Sequence, residues 1–345
     1  MILKDFFAKP DENPYDLINI RDGAYAADLL FAAIGHFDFF TRLDGKNISI
    51  DEICTLLNIK KRPADVLLTY CKSLGLLTEY NSHFSLTKKA KEFLTADSNW
   101  SLVPYFKTQA ERPIAQKMIN ALLTDKPQSW GGKKEEPDWE RAMQRDDFAE
   151  TFTSGMDSRG ACFATAIPEA FDFKKYTSVL DVAGASGIYA AAIKKKFSHL
   201  KAALLERPPV DKIAGISLQK RGMDKDILVE AGDMFEDELP AGYDIHLYSH
   251  VVHDWNEEQN SILFKKSYNS LNSKGILMIH DAHLNEDKTG PLSVAEYSVL
   301  LMFSTYGKCY SVTEIKSLMH VAGFTNVKQI KTAGNRSLVI GEKSD

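Results

Sequence analysis

A two-part α/β protein is what the sequence predicts: a doubly wound sheet in the C-terminal half, preceded by a mainly helical N-terminal half. Three observations carry that expectation. From Thr177 onward, short apolar runs alternate with amphipathic stretches, the pattern of strands joined by crossover helices. From Pro14 to about Leu123, apolar residues recur at three- and four-residue spacing, as in "YAADLLFAAIGHFDFF", without alternating strands. Between the two, Thr124–Asp147 is rich in Pro, Gly and charge, as a linker or domain seam is. The expected division is 1–123, a helical domain; 124–160, a linker and pocket helix; and 161–345, the sheet domain.

Within the helical half, residues 48–94 read as helix, turn, helix and then a short hairpin, the outline of a winged helix. Ser49 caps the first helix with Glu52 at capping-box spacing, and Leu76-Leu77-Thr78 and Phe84-Ser85-Leu86 flank the polar turn Asn81-Ser82. The helix in the recognition position, "RPADVLLTYCKSLGLL", offers only Arg62 and Lys72 as cations among Leu and Val that favour burial. A dimerisation or core role suits it better than DNA reading. The formal charge of -5 agrees, because phosphate neutralisation needs a basic excess. The start of the chain lacks the pattern of a signal peptide, and no apolar stretch approaches the roughly 18 residues of a membrane span. Cys54, Cys71, Cys162 and Cys309 have neither CxxC spacing nor a disulfide framework. The expectation is a soluble, cytoplasmic protein with reduced cysteines and no bound metal.

In the sheet half the expected strands are "SVLDVAG", "KAALLE", "ILVEAGD", "YDIHLYS", "GILMIHDA", "VKQIKT" and "SLVIGEK", taken as a parallel sheet. The first ends in Asp181 and runs through a small-residue turn, with Gly184 and Gly187, into a helix starting near Ile188. Small residues let a ligand approach the backbone, and the N–H groups of the helix start face its polar end. Glu206 ends the second strand, 25 residues after Asp181, where an acid holds ribose hydroxyls. NAD and S-adenosylmethionine sites share these features. The third strand separates them: Asp233 stands where it accepts from an adenine amino group and Met234 where it packs on the ring, an arrangement more typical of S-adenosylmethionine enzymes.

With "SVLDVAGASG", "LLERPPV", "AGDMF" and "HDW" in this order, the chain resembles the S-adenosylmethionine-dependent O-methyltransferases of the caffeic acid and acetylserotonin type, including bacterial members of secondary metabolism. The resemblance covers nearly the whole chain. It implies a Rossmann-like methyltransferase sheet with a winged-helix dimerisation domain, hence a homodimer, and S-adenosyl-L-methionine as cofactor. It makes Gly184 a cofactor-loop residue, Glu206 the ribose ligand, and Asp233, Met234 and Phe235 the adenine wall. His253 becomes the general base and Asp281 the acid that orients it; Ser249 and His250 line the cofactor site, and Met156 lines the substrate pocket.

The chemistry agrees with the histidine. Methyl transfer to a phenol of pKa about 10 needs its proton removed, and an imidazole near pKa 6.5 is matched to that task when a carboxylate orients it. Asp254 is expected to cap the helix "NEEQNSILFKKSY" instead. Phe152, Met156, Met302, Phe303 and Tyr306 suit a flat, moderately apolar acceptor, with ordinary core as the rival reading. One departure from the family is "YGKCYS", with Cys309 where a second glutamate is usual. Alternatives therefore stay open. The cluster His250, His253, Asp254, His280, Asp281 and His283 could hold a metal for C-methylation of a keto acid, and the same fold and cofactor could serve a non-methylating cyclisation or decarboxylation. A winged-helix regulator sensing a small molecule is the non-enzymatic reading.

Overall fold

The computed structural model describes residues 7, 8, 10–128 and 139–344; residues 129–138 of the expected linker lie outside that range. The chain forms two compact units, one from Met1–Ile18, Glu140–His283 and Val312–Asp345, the other from Asn19–Trp139 and Leu284–Ser311.

The helical unit contains the winged-helix outline. Helix Ile50–Leu57 starts with a capping box: Ser49 Oγ accepts from Glu52 N at 3.3 Å, and Ser49 N donates to Glu52 Oε2 at 2.8 Å. Helix Lys61–Ser73 follows. Strand β1 (Ile48–Ser49) pairs with β3 (His83–Leu86), which pairs with β2 (Leu77–Tyr80) in a three-stranded antiparallel sheet. The β2–β3 turn is Asn81-Ser82, with φ of 48° and 60°, the two left-handed residues that match the twist of paired strands. The cations of helix Lys61–Ser73 are spent inside this unit. Arg62 donates to Asp125 Oδ1 at 2.7 Å and to the Gly307 carbonyl at 2.6 Å, and buried Lys72 donates to Glu79 and the Asp287 carbonyl.

The compact units depart from the linear division expected from sequence, because Leu284–Ser311 leaves the sheet half and joins the helical unit. Its helix Leu292–Ser304 is buried from Tyr297 through Ser304 on every side, so it needs neighbours all round. Helix Lys61–Ser73 supplies the main packing surface, with Tyr25 stacked obliquely on Phe303 at 4.7 Å. Burial alone would push the Asp65 carboxyl up, but Lys308 at 2.7 Å and Lys288 at 3.0 Å outweigh it and hold the carboxyl down at about 2.

The sheet unit has seven strands: β4 (Ser178–Val182), β5 (Lys201–Glu206), β6 (Ile227–Ala231), β7 (Ile245–Ser249), β8 (Ile276–Ala282), β9 (Thr325–Lys331) and β10 (Arg336–Glu342), in the order β6-β5-β4-β7-β8-β10-β9. All seven expected strands form. The first five run parallel, whereas β10 is antiparallel to both β8 and β9, which corrects the expectation of a wholly parallel sheet. Residues 332–335 are too few for a crossover and can only close a hairpin. The core fills with Val179, Leu204, Leu247, Met278 and Leu338 against the helices. Strand order reverses between β4 and β7, placing a crevice at their carboxyl ends, where open α/β sheets bind ligands. Among the described residues, no helix is long and apolar enough to cross a membrane.

His246, on β7, is buried with neither ring nitrogen hydrogen-bonded among the described residues. Burial first, then the charge of Lys343, pushes it down from 6.5 to about 3. The folded unit therefore binds this proton less tightly than the unfolded chain does. Stability from this group is complete above the unfolded value of 6.5 and is lost as pH falls toward the folded one. His246→Leu is expected to flatten the fall in Tm between about pH 6.5 and pH 4; thermal scans with the same slope in both proteins would refute this.

Candidate active site

The cofactor turn is built from β4 and the helix Ile188–Lys196. Ala183, Ala185 and Gly187 take left-handed φ of 55°, 51° and 74°, folding the backbone tightly enough for Gly187 to start the helix. Asp181 lies beneath this turn, fully buried. Its Oδ2 accepts from Ala190 N at 3.2 Å, its Oδ1 has no partner among the described residues, and burial pushes it up to about 7. Gly184 sits so close above that a Cβ there would come within 2.8 Å of the Asp181 carboxylate.

Glu206, at the end of β5, accepts from Ala185 N at 2.8 Å and Arg207 N at 3.2 Å, and burial pushes it up to about 7. After β6, Asp233 Oδ1 accepts from Phe235 N at 2.8 Å, while its Oδ2 lies 3.9 Å from the Arg207 guanidinium. The Phe235 ring meets Trp255 edge-on at 4.6 Å, and the Met234 carbonyl accepts from Lys266 at 3.2 Å. The first three parallel strands thus bring Asp181, Gly184, Gly187, Glu206, Asp233, Met234 and Phe235 to one end of the sheet.

The second half of the site comes from β7 and β8. Their register sets Ser249 opposite His280. His250 then turns left-handed, with φ of 58°, while its N–H still donates to the His280 carbonyl at 2.9 Å. A 3-10 turn, Val252–Asp254, follows and swings His253 toward the end of β8. There His253 Nδ1 donates to Asp281 Oδ1 at 2.6 Å, and Asp281 also accepts from Ala282 N at 2.7 Å. Burial disfavours charge on both partners. The Asp281 charge, then that of Asp254, outweighs it for His253 and holds the imidazole above its ordinary value; His253 in turn holds Asp281 below its own.

Asp254 does not cap the following helix. Asn256 does, accepting from Gln259 N at 2.9 Å in a capping box, because the 3-10 turn keeps Asp254 two residues short of the cap position. Its carboxylate lies 3.8 Å from His253 Nε2, and burial pushes it up to about 6.

The expected histidine cluster separates. His280 binds Ser249 Oγ at 2.9 Å and Thr332 Oγ1 at 3.2 Å, and His283 binds Ser337 Oγ at 2.8 Å, on the opposite side of their strand from Asp281 or beyond its end. His250 stays near, its Nδ1 3.7 Å from Asp281. Burial first, then the charges of Arg159 and Arg336, holds His250 well below its ordinary value. His250, His253 and Asp281 present ligand atoms within 4.8 Å of one another, compatible with a cation, although the 2.6 Å contact inside the set is that of a shared proton.

Phe152 and Met156 are half-buried on helix Asp146–Gly160, with Phe152 stacked on Phe148 at 6.3 Å. Met302, Phe303 and Tyr306 belong to the helical unit, the first two fully buried and Tyr306 exposed. Cys309 is buried in that unit, its N–H donating to Ser298 Oγ at 3.0 Å. Three further residues lie near the histidines. The Arg336 guanidinium lies over the Phe163 ring at 4.7 Å, Arg159 acts electrostatically on His250 and His253, and the Tyr189 ring lies 6.0 Å from His250. Tyr189 sits in "IYAAA" and reads as helix core, and Arg336 as a solvated strand end, so neither carries a signal in the sequence.

The chain is similar to known proteins over nearly all of its length. A crystal structure of an O-methyltransferase family 2 protein from Planctomyces limnophilus, in complex with apigenin, superposes with a TM-score of 0.89 at 30% identity, covering 99% of this chain and 100% of that one. A 3-hydroxy-5-methyl-1-naphthoate 3-O-methyltransferase of Streptomyces sahachiroi is 28% identical over 96% of both chains. The S-adenosyl-L-methionine-dependent methyl transferase PigF of Serratia is 25% identical over 95% of this chain and 96% of its own, and its structure with SAH matches at a TM-score of 0.61. The O-methyltransferase domain model matches residues 117–325, more than half of the sequence, and the chain belongs to that family.

Proposed function

We propose that this protein is an S-adenosyl-L-methionine-dependent O-methyltransferase that methylates a hydroxyl of an aromatic or related small metabolite, with His253 as general base. The observation that carries the reading is the His253–Asp281 hydrogen bond at the ends of two adjacent parallel strands, on the same edge of the sheet as the cofactor residues. The residues fit the cofactor. Glu206 and Asp233 offer carboxylate oxygens to ribose hydroxyls and an adenine amino group, Met234 and Phe235 offer an apolar wall, and Ser249 and His250 line the same edge. Asp181 has a buried oxygen awaiting a donor.

When bound, S-adenosylmethionine supplies an electrophilic methyl group on a sulfonium. His253 takes the proton from the acceptor hydroxyl at Nε2, because Nδ1 is already donating to Asp281. Asp281 fixes that tautomer and stabilises the imidazolium as it forms. Phe152 and Met156, half-buried on helix Asp146–Gly160, contact the acceptor ring, and Cys309 takes no part. The base works without a metal, the N-terminal helical domain mediates a homodimer, and the enzyme acts in the cytoplasm.

The test has two arms. Calorimetry should find S-adenosylmethionine bound in preference to NAD, and release of S-adenosylhomocysteine should occur with phenols rather than amines or keto acids, undiminished by a chelator. Preferred binding of NAD sinks the cofactor; a product methylated on carbon sinks the O-methyl assignment.

A further inference from the structure

We propose that Asp157 is a positioning residue that couples the cofactor turn to the acceptor-bearing helix, so that filling the first orders the second. Helix Asp146–Gly160 carries Phe152 and Met156, and its last turn docks on the segment between β4 and helix Ile188–Lys196. Two separate contacts make that docking. The Asp157 carboxylate accepts from the Ser186 hydroxyl, inside the turn, and from the Arg221 guanidinium at the end of helix Val210–Arg221. One turn further, Gly160 lies so close to Ile188 that a Cβ would come within 2.8 Å of its Cγ2.

Both donors use the same oxygen, Asp157 Oδ1. A shift of Ser186 therefore cannot leave the Arg221 contact unchanged, and the helix must follow or one bond must break. Ser186 and the Arg221 side chain are only 1% and 3% exposed. Hydrogen bonds to an ionised carboxylate are stronger than neutral ones, and buried ones are little weakened by salt. The turn itself stands in left-handed conformations at Ala183 and Ala185, which L-residues keep only when their surroundings hold them. A ligand seated on it selects one arrangement, and Ser186 and Asp157 carry that selection to the helix. Asp157 accepts from Ser186 and Arg221, at the cofactor turn and the helix beside it, so its role lies in order and affinity rather than in proton transfer.

The inference rests on the reading of Asp181–Gly187 as part of the cofactor site, and hydrogen exchange separates the two. With saturating S-adenosylhomocysteine, the wild-type protein is expected to slow amide exchange about tenfold both at 181–190 and across 146–160. In Ser186→Ala, which keeps the Asp157–Arg221 pair but removes the donor in the turn, slowing should be confined to 181–190. Ser186→Thr should restore the response of the helix, and Asp157→Asn should lose it. If the helix responds equally in Ser186→Ala, or fails to respond in the wild type while 181–190 does, the coupling is overturned. Failure of 181–190 to respond in the wild type would overturn the cofactor site, and the coupling with it.

Discussion

Replacing His253 by alanine is expected to lower the rate of methyl transfer by about 10²–10⁴-fold, the usual contribution of a positioned general base. S-adenosylmethionine should bind with its Kd changed less than about twofold, because the imidazole reaches Asp281 rather than the glutamate and aspartate assigned to the ribose and adenine. The asymmetry between the two readouts is the point. His253 is 3% exposed and hydrogen-bonded to a carboxylate, so a purely structural histidine in its place would cost stability and both affinities together. Single-turnover release of S-adenosylhomocysteine gives the rate, and calorimetry the affinity. A variant that keeps most of its rate, or loses cofactor binding in proportion, removes His253 from the mechanism.

Asp281→Asn is expected to produce the second largest loss, about 10²-fold in kcat, together with a displaced pH profile. The sign follows from the balance at the imidazole. A base is active when neutral, so kcat/KM rises with pH through the pKa of His253, which stands above its ordinary 6.5 because Asp281 outweighs burial. Without that negative charge, burial dominates and the pKa falls, so the acid limb should move to lower pH while the plateau drops. The plateau drops because an amide can accept from or donate to Nδ1, and the tautomer is no longer fixed. The change is buried among paired groups, so a thermal scan must accompany the kinetics. A folded Asp281→Asn protein with an unmoved acid limb would mean that another group titrates in the wild-type profile.

Much of this site is legible in the sequence because its residues sit at strand ends. Asp181, Glu206, Asp233 and His253 each follow an apolar run whose length fixes where the backbone stops, and a doubly wound sheet gathers those stops at one edge. What escaped depends on packing between distant segments. The excursion of Leu284–Ser311 into the helical unit is decided by which neighbours can cover an all-round apolar helix, and hydrophobic periodicity does not name them. The reversal of β10 follows from a four-residue connection whose hairpin geometry outweighs the alternation seen upstream. The cap went to Asn256 rather than Asp254 because a 3-10 turn, three residues long, leaves no periodic trace. Arg336 and Tyr189 gain their interest only from proximity to His250, which no local pattern encodes.

The path of the chain also sets how this protein can be divided. Leu284–Ser311 belongs to one unit but is tethered at both ends to the other, since His283 precedes it at the end of β8 and Val312 follows it into helix Val312–Ala322. No single cut yields two self-sufficient pieces. A fragment starting near residue 161 would keep helix Leu292–Ser304 while losing helix Lys61–Ser73, leaving a run of eight consecutive buried residues, Tyr297–Ser304, exposed to water. Engineered exchange of the helical unit between relatives should therefore move residues 19–128 and 284–311 together, as two inserts that fold around each other.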